Sequence, residues 1–210
     1  MTKKTVLLLF AFMLFNSCSR GGGEYGLDAN IRTDTLLFLS SKNGEVKPLD
    51  YSKAVKEIGT DGLPKICLCR AVGFRMSQII AALWKDNVLR THEIESITTG
   101  WNSEGPYEFF EETLGMPEKK IIIAPGSASH DELAVKDCWY TFRLTDGRTV
   151  TLRGKKEIYG EFLDLRSRMH KGEKGIAQRV KKARTDVEIN LAALPCKNKF
   201  EISIDKGGKL

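Results

Sequence analysis

No apolar run in this chain is long enough to cross a bilayer as a helix. The longest, Val6 to Phe15, is about half of the roughly 20 residues that a spanning helix needs. Internal repeats and low-complexity domains are also missing, which sets aside solenoids and arrays. Charge of one sign is modest: the net value is +6, falling to +4 if Lys3 and Lys4 are removed with an export signal. The basic cluster Arg166, Arg168, His170, Lys171, Lys174, Arg179, Lys181, Lys182 and Arg184 has no interleaved aromatic residues, so nucleic acid is not an expected partner. It reads as a solvated helix face that can lie toward anionic lipid headgroups. Cys67-Leu68-Cys69 lacks a second, suitably spaced cysteine pair, and no clear acid–base pair stands out. Ser127-Ala128-Ser129-His130-Asp131-Glu132 has hydrolase-like residue types, but neighbours in sequence point in different directions and a triad is defined in space. It reads as a polar loop capping a helix.

What the chain does carry begins at its start. Lys3 and Lys4 precede the apolar run, and Asn16-Ser17-Cys18 follows it, the order of a bacterial lipoprotein signal. Residues 1–17 are therefore expected to be a signal peptide, with Cys18 the lipidated first residue of the mature protein. A diacylglycerol thioether and an acylated amine would supply the two or more chains that stable anchoring requires. The expected address is the bacterial cell envelope, facing the periplasm or exterior, with membrane lipid as a partner. Phe15 stands where such signals usually carry Leu, which leaves plain secretion or an uncleaved anchor as alternatives. Residues 18–32, with Gly21-Gly22-Gly23 and no apolar periodicity, read as a flexible tether, and residues 33–210 as one folded domain.

With Cys18 taken by lipid, Cys67, Cys69, Cys138 and Cys196 form an even remainder in a compartment where disulfides persist. Two bridges are permitted, not demanded. Side chains in Cys-x-Cys are too constrained to bridge easily to each other, so metal binding and ordinary burial stay open for Cys67, Cys69 and Cys138. As metal ligands the candidates are Cys67, Cys69, His130 and Cys138, a soft N/S set suited to zinc, nickel or iron.

The periodicities predict an α+β fold: a mixed or antiparallel sheet with a central hairpin, packed against several helices in one compact domain. Leu36 to Leu39 reads as a buried strand, and Lys42-Asn43-Gly44-Glu45 as a turn with Gly44 at positive φ. Tyr51 to Ile58 reads as a short helix ended by Gly59. The strongest helix is expected at about 69–86, burying one face through Val72, Met76, Ile79, Ile80 and Leu83. Gly73 inside it points to a close approach. Ile94 to Thr99 reads as a strand, followed by a second helix entered at Pro106, with Tyr107, Phe110 and Leu114 as its stripe and Gly115 at its end. Lys119 to Ala124 is expected to be a strand stopping at Pro125. Trp139–Leu144 and Thr149–Leu152 form a hairpin around Asp146-Gly147. Helices follow at about 158–169 and 174–193, the latter striped by Ile176, Val180, Ala183, Val187 and Leu194. Phe200 to Ile204 returns as an edge strand.

Leu63 to Met76 carries Cys67 followed by apolar residues and then Gly73-Phe74-Arg75. In this the segment resembles the core motif of the formylmethanofuran dehydrogenase E-subunit family, where His-Gly-His-x-Cys-Pro-Gly precedes apolar residues, Gly, an aromatic and Arg. Leu63 and Lys65 occupy the histidine positions, and Leu68 and Cys69 replace Pro-Gly. The likeness continues at Gly105, Glu108, Glu111 and Gly115, where the family tends to have Cys, Asp, Gln and Gly. It goes on through the 139–152 hairpin and the 194–202 segment, covering about residues 50–204. The resemblance implies an α+β fold that often forms a homodimer, and a divalent-metal pocket near the cysteine-bearing helix start. Cys69 stands where it can compensate in part for the two missing histidines.

Two functions follow as expectations. The first is a membrane-tethered, small-ligand-binding or accessory protein, its pocket formed by Cys67, Arg75, Trp101, Glu108 and Glu111. Arg75 is expected to meet Glu108 or Glu111, which are three apart and so neighbours on a helix. The second is a metal-dependent or thiol-dependent enzyme using Cys67 and Cys69. Loss of the histidines favours the first.

Overall fold

Alternation at the start of the folded body sets its first sheet. The computed structural model describes residues 34–39, 44–58, 64–102, 105, 108–129, 131–193 and 197–206. The expected signal, Cys18, the tether, Gly59, Pro106, Tyr107, His130, Leu194 and Cys196 lie outside the described residues. Strand β1 (Thr35–Leu39) buries Leu36 and Phe38 but leaves Leu37 38% exposed, so only one of its faces is covered. Gly44 takes φ 67° as expected, and β2 (Val46–Asp50) returns antiparallel to β1.

The expected helix over Tyr51–Ile58 is two elements. Helix α1 covers Tyr51–Ala54, and Lys56–Ile58 is strand β3, paired antiparallel with β4 (Pro64–Ile66). The Cys67 amide donates to the Val55 carbonyl at 2.8 Å, so the ladder continues past β4 and ends where the next helix begins. That helix, α2 (Leu68–Ala81), is shorter than its apolar pattern suggests. The chain tightens at once, with Leu83 and Trp84 amides donating to Ile80 and Ala81 carbonyls, and Asn87 at φ 56° turns it into β5 (Val88–Arg90). Nor does α2 bury a single face. Cys69 and every residue from Ala71 to Ala81 are buried, because the helix is enclosed on several sides.

Parallel pairing of β5 with β1 completes the sheet β2-β1-β5. The larger sheet forms from β6 (Ile94–Asn102), β7 (Ile121–Ser129), β8 (Trp139–Leu144), β9 (Thr149–Gly154) and β10 (Phe200–Asp205), in the order β10-β9-β8-β6-β7. Its neighbours are antiparallel except β6 and β7. The β8–β9 hairpin turns at Asp146-Gly147 and β10 lies at an edge, both as expected. β7 does not stop at Pro125. It is the other edge strand, where a residue without an N–H costs no ladder bond, and the register slips there between Thr99 and Trp101. Ser127 to Ser129 thus belong to this strand rather than to a helix-capping loop.

Three helices cover the rest. The segment expected as one helix over 158–169 divides into α3 (Lys156–Tyr159) and α4 (Phe162–His170), because Gly160 takes φ 53° and ψ −126° and ends the first. Helix α5 (Ala177–Ala192) buries Ala183, Val187 and Leu191, with Leu191 continuing the stripe expected to reach Leu194.

Between 105 and 115 the expected α-helix is a π-helical turn, Glu108–Thr113, whose wider ring is seen where the Leu114 amide reaches the Phe109 carbonyl. This turn drives Phe109 and Phe110 into the core. Tyr51, Phe74, Phe109 and Phe110 meet edge-on in succession, with centroids 5.3, 6.4 and 5.2 Å apart, and Phe110 then meets Tyr140 and Phe142 at 5.8 and 5.9 Å. Each such pair adds about 0.5–1.5 kcal/mol beyond its buried area. The ladder ties α1 and α2 to the large sheet.

Candidate functional site

Cys67 is the last residue before α2 and has extended backbone, with φ −74° and ψ 109°. Its thiol is held below the ordinary range, first by the Cys69 side chain and then by the Arg70 and Cys69 amides, against the opposing effects of burial and Glu57. Those amides are among the unbonded N–H groups of a helix's first turn, which favour negative charge. They face the sulfur without closing a cap hydrogen bond of good geometry. Cys69 lies in that first turn, and both cysteines are buried and unbridged. Gly105 completes this end of the site: a β-carbon placed on it would stand 2.8 Å from Cys69 Sγ and 3.7 Å from Cys67 Sγ.

The large sheet supplies the opposite wall. Thr99 and Tyr140 are paired residues of β6 and β8, so their side chains share a face. The Tyr140 hydroxyl is acted on electrostatically by Cys69, Cys138 and Cys67, and burial pushes its pKa well up. Tyr159, from α3, places its hydroxyl over Gly154 and beside the Cys138 thiol, and burial raises its pKa too. Both phenols therefore stay protonated. Thr99 lies beside the Tyr140 hydroxyl and the Cys138 thiol beside that of Tyr159, but neither phenol completes a hydrogen bond of good geometry, and nor does the buried Trp101 Nε1 on β6. The Trp101 amide donates to Thr99 Oγ1 at 3.1 Å, which sets this residue next to the Thr99–Tyr140 pair. Cys138 donates to the Ala134 carbonyl at 3.5 Å, and burial pushes its thiol up to about 12, so it is held as the thiol where Cys67 is not. Arg166 of α4 is within electrostatic reach of Cys69 and pairs with Asp131 at 3.3 Å, as does His170.

Of the residues expected to converge, the structure joins only some. The start of α2 does meet the 105–112 segment, but the cation between them is Arg70, not Arg75. Arg70 Nε and Nη2 donate to Glu108 at 3.1 and 2.9 Å, and Nη2 donates to Glu112 at 3.2 Å. Glu111 is exposed and stands apart from this pair. The π turn explains the change, since its wider ring puts Glu112 rather than Glu111 beside Glu108. Arg75 faces away, fully buried among Leu191 O, Ala192 O, Gln78 and Asp34, with its guanidinium 4.2 Å from the Tyr51 ring centroid. It is a packing cation of the core, directed to α5 and away from the Cys67–Cys69 end of α2. Trp101, expected to line the ligand site, is buried on β6 two residues past Thr99.

Sequence reasoning passes over Arg70, Tyr140, Tyr159 and Arg166. Arg70 is three residues after Cys67, a spacing that puts the two on one helix face, and Tyr140 alternates with Phe142 on the inner face of the hairpin. Tyr159 and Arg166 leave no such signal. Among the described residues no group of three or more His, Cys, Asp or Glu side chains could hold a metal ion, and His130 lies outside them. No family model matches the chain, and comparisons with curated proteins and with solved structures give no match.

Proposed function

We propose that this chain is an exported lipoprotein, anchored through Cys18 at the bacterial cell envelope, whose domain, similar to the formylmethanofuran dehydrogenase E-subunit family, binds a small polar ligand at the start of α2. The observation that carries the reading is that the Tyr140 and Tyr159 hydroxyls, both within electrostatic reach of the cysteines, are buried without a well-formed hydrogen bond, as is Trp101 Nε1 two residues along β6 from Thr99. The Tyr51 and Ser77 hydroxyls share that state elsewhere in the core. Leaving such a group unsatisfied costs about 1–3 kcal/mol. An acceptor-bearing ligand would recover that cost. The resemblance is supported by Gly105, which stands where the family tends to carry a further cysteine and which abuts both Cys67 and Cys69. Tethering is consistent with the observation that no helix among the described residues is long and apolar enough to cross a membrane. The family reading also brings a homodimer as the expected assembly.

The second reading is an enzyme dependent on Cys67 and Cys69, through a thiol or a bound zinc, nickel or iron. The Cys69 side chain and the first-turn amides, which lower the Cys67 thiol from its ordinary range, favour the thiol form of it.

Native mass spectrometry of the purified mature protein, with elemental analysis, tests the first reading. Added mass from a small molecule is expected, lost in Tyr140→Phe. A wild-type protein carrying nothing, with Tyr140→Phe as stable as or more stable than it, would overturn the ligand. Cys18→Ser is expected to leave the membrane fraction or stay unprocessed; an intact mass placing an unlipidated terminus elsewhere would end the anchoring proposal.

A further inference from the structure

Two unbridged sulfurs meet one point of the chain at the start of α2. A β-carbon on Gly105 would stand within 4 Å of both, at 2.8 Å from Cys69 Sγ and 3.7 Å from Cys67 Sγ. In a continuous helix, residues two apart point about 200° away from one another, at 3.6 residues per turn. The extended backbone of Cys67 cancels that divergence, so the Cys69 side chain comes within hydrogen-bonding reach of the Cys67 sulfur. Tyr140, unpartnered and fully buried, faces the same pair electrostatically.

We propose that Cys67 and Cys69 form a thiol–disulfide exchange pair acting on a low-molecular-weight disulfide. The Cys67 thiolate attacks one sulfur of R–S–S–R. The S–S bond breaks, Cys67–S–S–R forms, and the first R–S⁻ leaves and takes a proton. The Cys69 thiol gives up its proton and attacks the Cys67 sulfur, and the second R–S⁻ leaves protonated. Two cysteine thiols are thereby oxidised to one intrachain bridge, and the disulfide compound is reduced to two thiols.

Cys67 is the attacking member because it stands just ahead of α2, where the Cys69 side chain first and then the first-turn amides favour its thiolate. Cys69 resolves the mixed disulfide because it is the adjacent sulfur. Cys138 takes no part, since its thiol is fully buried and bonded to the Ala134 carbonyl. A bridge between residues two apart closes a small, strained ring, and strained disulfides are the readily reduced, exchanging kind. The constraint that makes Cys-x-Cys a poor structural bridge thus leaves the bridge readily reopened by a small thiol, whose attack reverses these two exchanges. This inference shares its location with the ligand site but stands without it.

The test uses the full mature protein, poised in glutathione and glutathione disulfide mixtures, quenched in acid, alkylated and mapped by peptide mass. The peptide holding Cys67 and Cys69 is expected to lose two hydrogens in a single two-electron transition while Cys138 stays reduced. Cys69→Ser is expected to accumulate glutathione on Cys67, and Cys67→Ser to acquire it on Cys69 at least tenfold more slowly. Glutathione on both cysteines without an intrachain bridge, or Cys67 reacting no faster than Cys138 in the native wild type, would overturn the proposal. Should either variant fail to fold, the wild-type map decides in both directions.

Discussion

The Arg75 guanidinium donates through Nε to the Leu191 carbonyl at 2.8 Å, joining the middle of α2 to the last turn of α5 across 116 positions of sequence. The same group also serves Ala192 O, Gln78 and Asp34 and stacks on Tyr51. A lysine cannot reproduce that planar fork. Arg75→Lys and Arg75→Met are each expected to destabilise the fold by about 1–3 kcal/mol for each buried acceptor left without its donor. Chemical denaturation of both variants measures it, and a loss under about 1 kcal/mol would contradict a role in holding α5 to α2.

Gly73 is the gap through which Phe109 enters. A β-carbon there would lie 2.8 Å from Phe109 Cδ1, so Gly73→Ala forces the ring to move. Overpacking of about 1–3 kcal/mol should exceed the gain of about 1 kcal/mol from better helix propensity. Gly73→Leu should cost more. In a double-mutant cycle with Phe109→Leu, which vacates the space, the two changes should cost less together than their sum. Strict additivity would place the clash elsewhere.

Arg70 and Glu108 are partly exposed, with 19% and 37% of their side chains accessible, so their pairing should contribute little to stability. Coupling of at most about 1 kcal/mol is expected from the Arg70→Ala and Glu108→Ala cycle, weakening with added salt. The charge swap Arg70→Glu with Glu108→Arg should recover part of that loss. A coupling of several kcal/mol would mean that this pair, and not the aromatic ladder, fixes the π turn.

Burial raises the Cys138 thiol from about 9 to about 12, which has a consequence for alkaline pH. The folded protein holds that proton between those values while the unfolded chain releases it, so stability is full below about 9 and declines as pH rises toward 12. The slope is up to about 1.4 kcal/mol per pH unit from this group. Cys138→Ala should lower stability at pH 7 but flatten its fall above pH 9. Cys67 has the opposite sign: its thiolate is favoured, so alkylation of the native protein should inflect below the ordinary thiol range. An inflection for Cys67 at or above that of a free cysteine would remove it as the attacking sulfur.

How much is legible in the sequence follows from where each signal resides. Asp146-Gly147 between two alternating runs announces a hairpin locally, and the structure has it. Tyr51 to Ile58 is ambiguous because a short apolar run serves either a helix or a strand, and pairing with β4 decides the matter. Arg75 falls to the pocket when its acceptors are sought among side chains. Two of them are the carbonyls of Leu191 and Ala192, which no side-chain pattern encodes. Glu111 pairs with Glu108 only under α-helical spacing, which a π turn does not obey. Cys67 and Cys69 are plain in the sequence; the Tyr140 phenol facing them needs the register of β6 and β8.

The course of β7 through Pro125 also bears on solubility. Among the described residues it is an edge strand, nine residues long and opening with Ile121, Ile122 and Ile123, with one side unpaired by any other strand. Pro125 removes a donor midway, and the register slip beside it keeps the edge from lying flat. Copies brought to high local concentration would meet this edge often. The proline keeps such encounters from growing into a shared, continuous sheet.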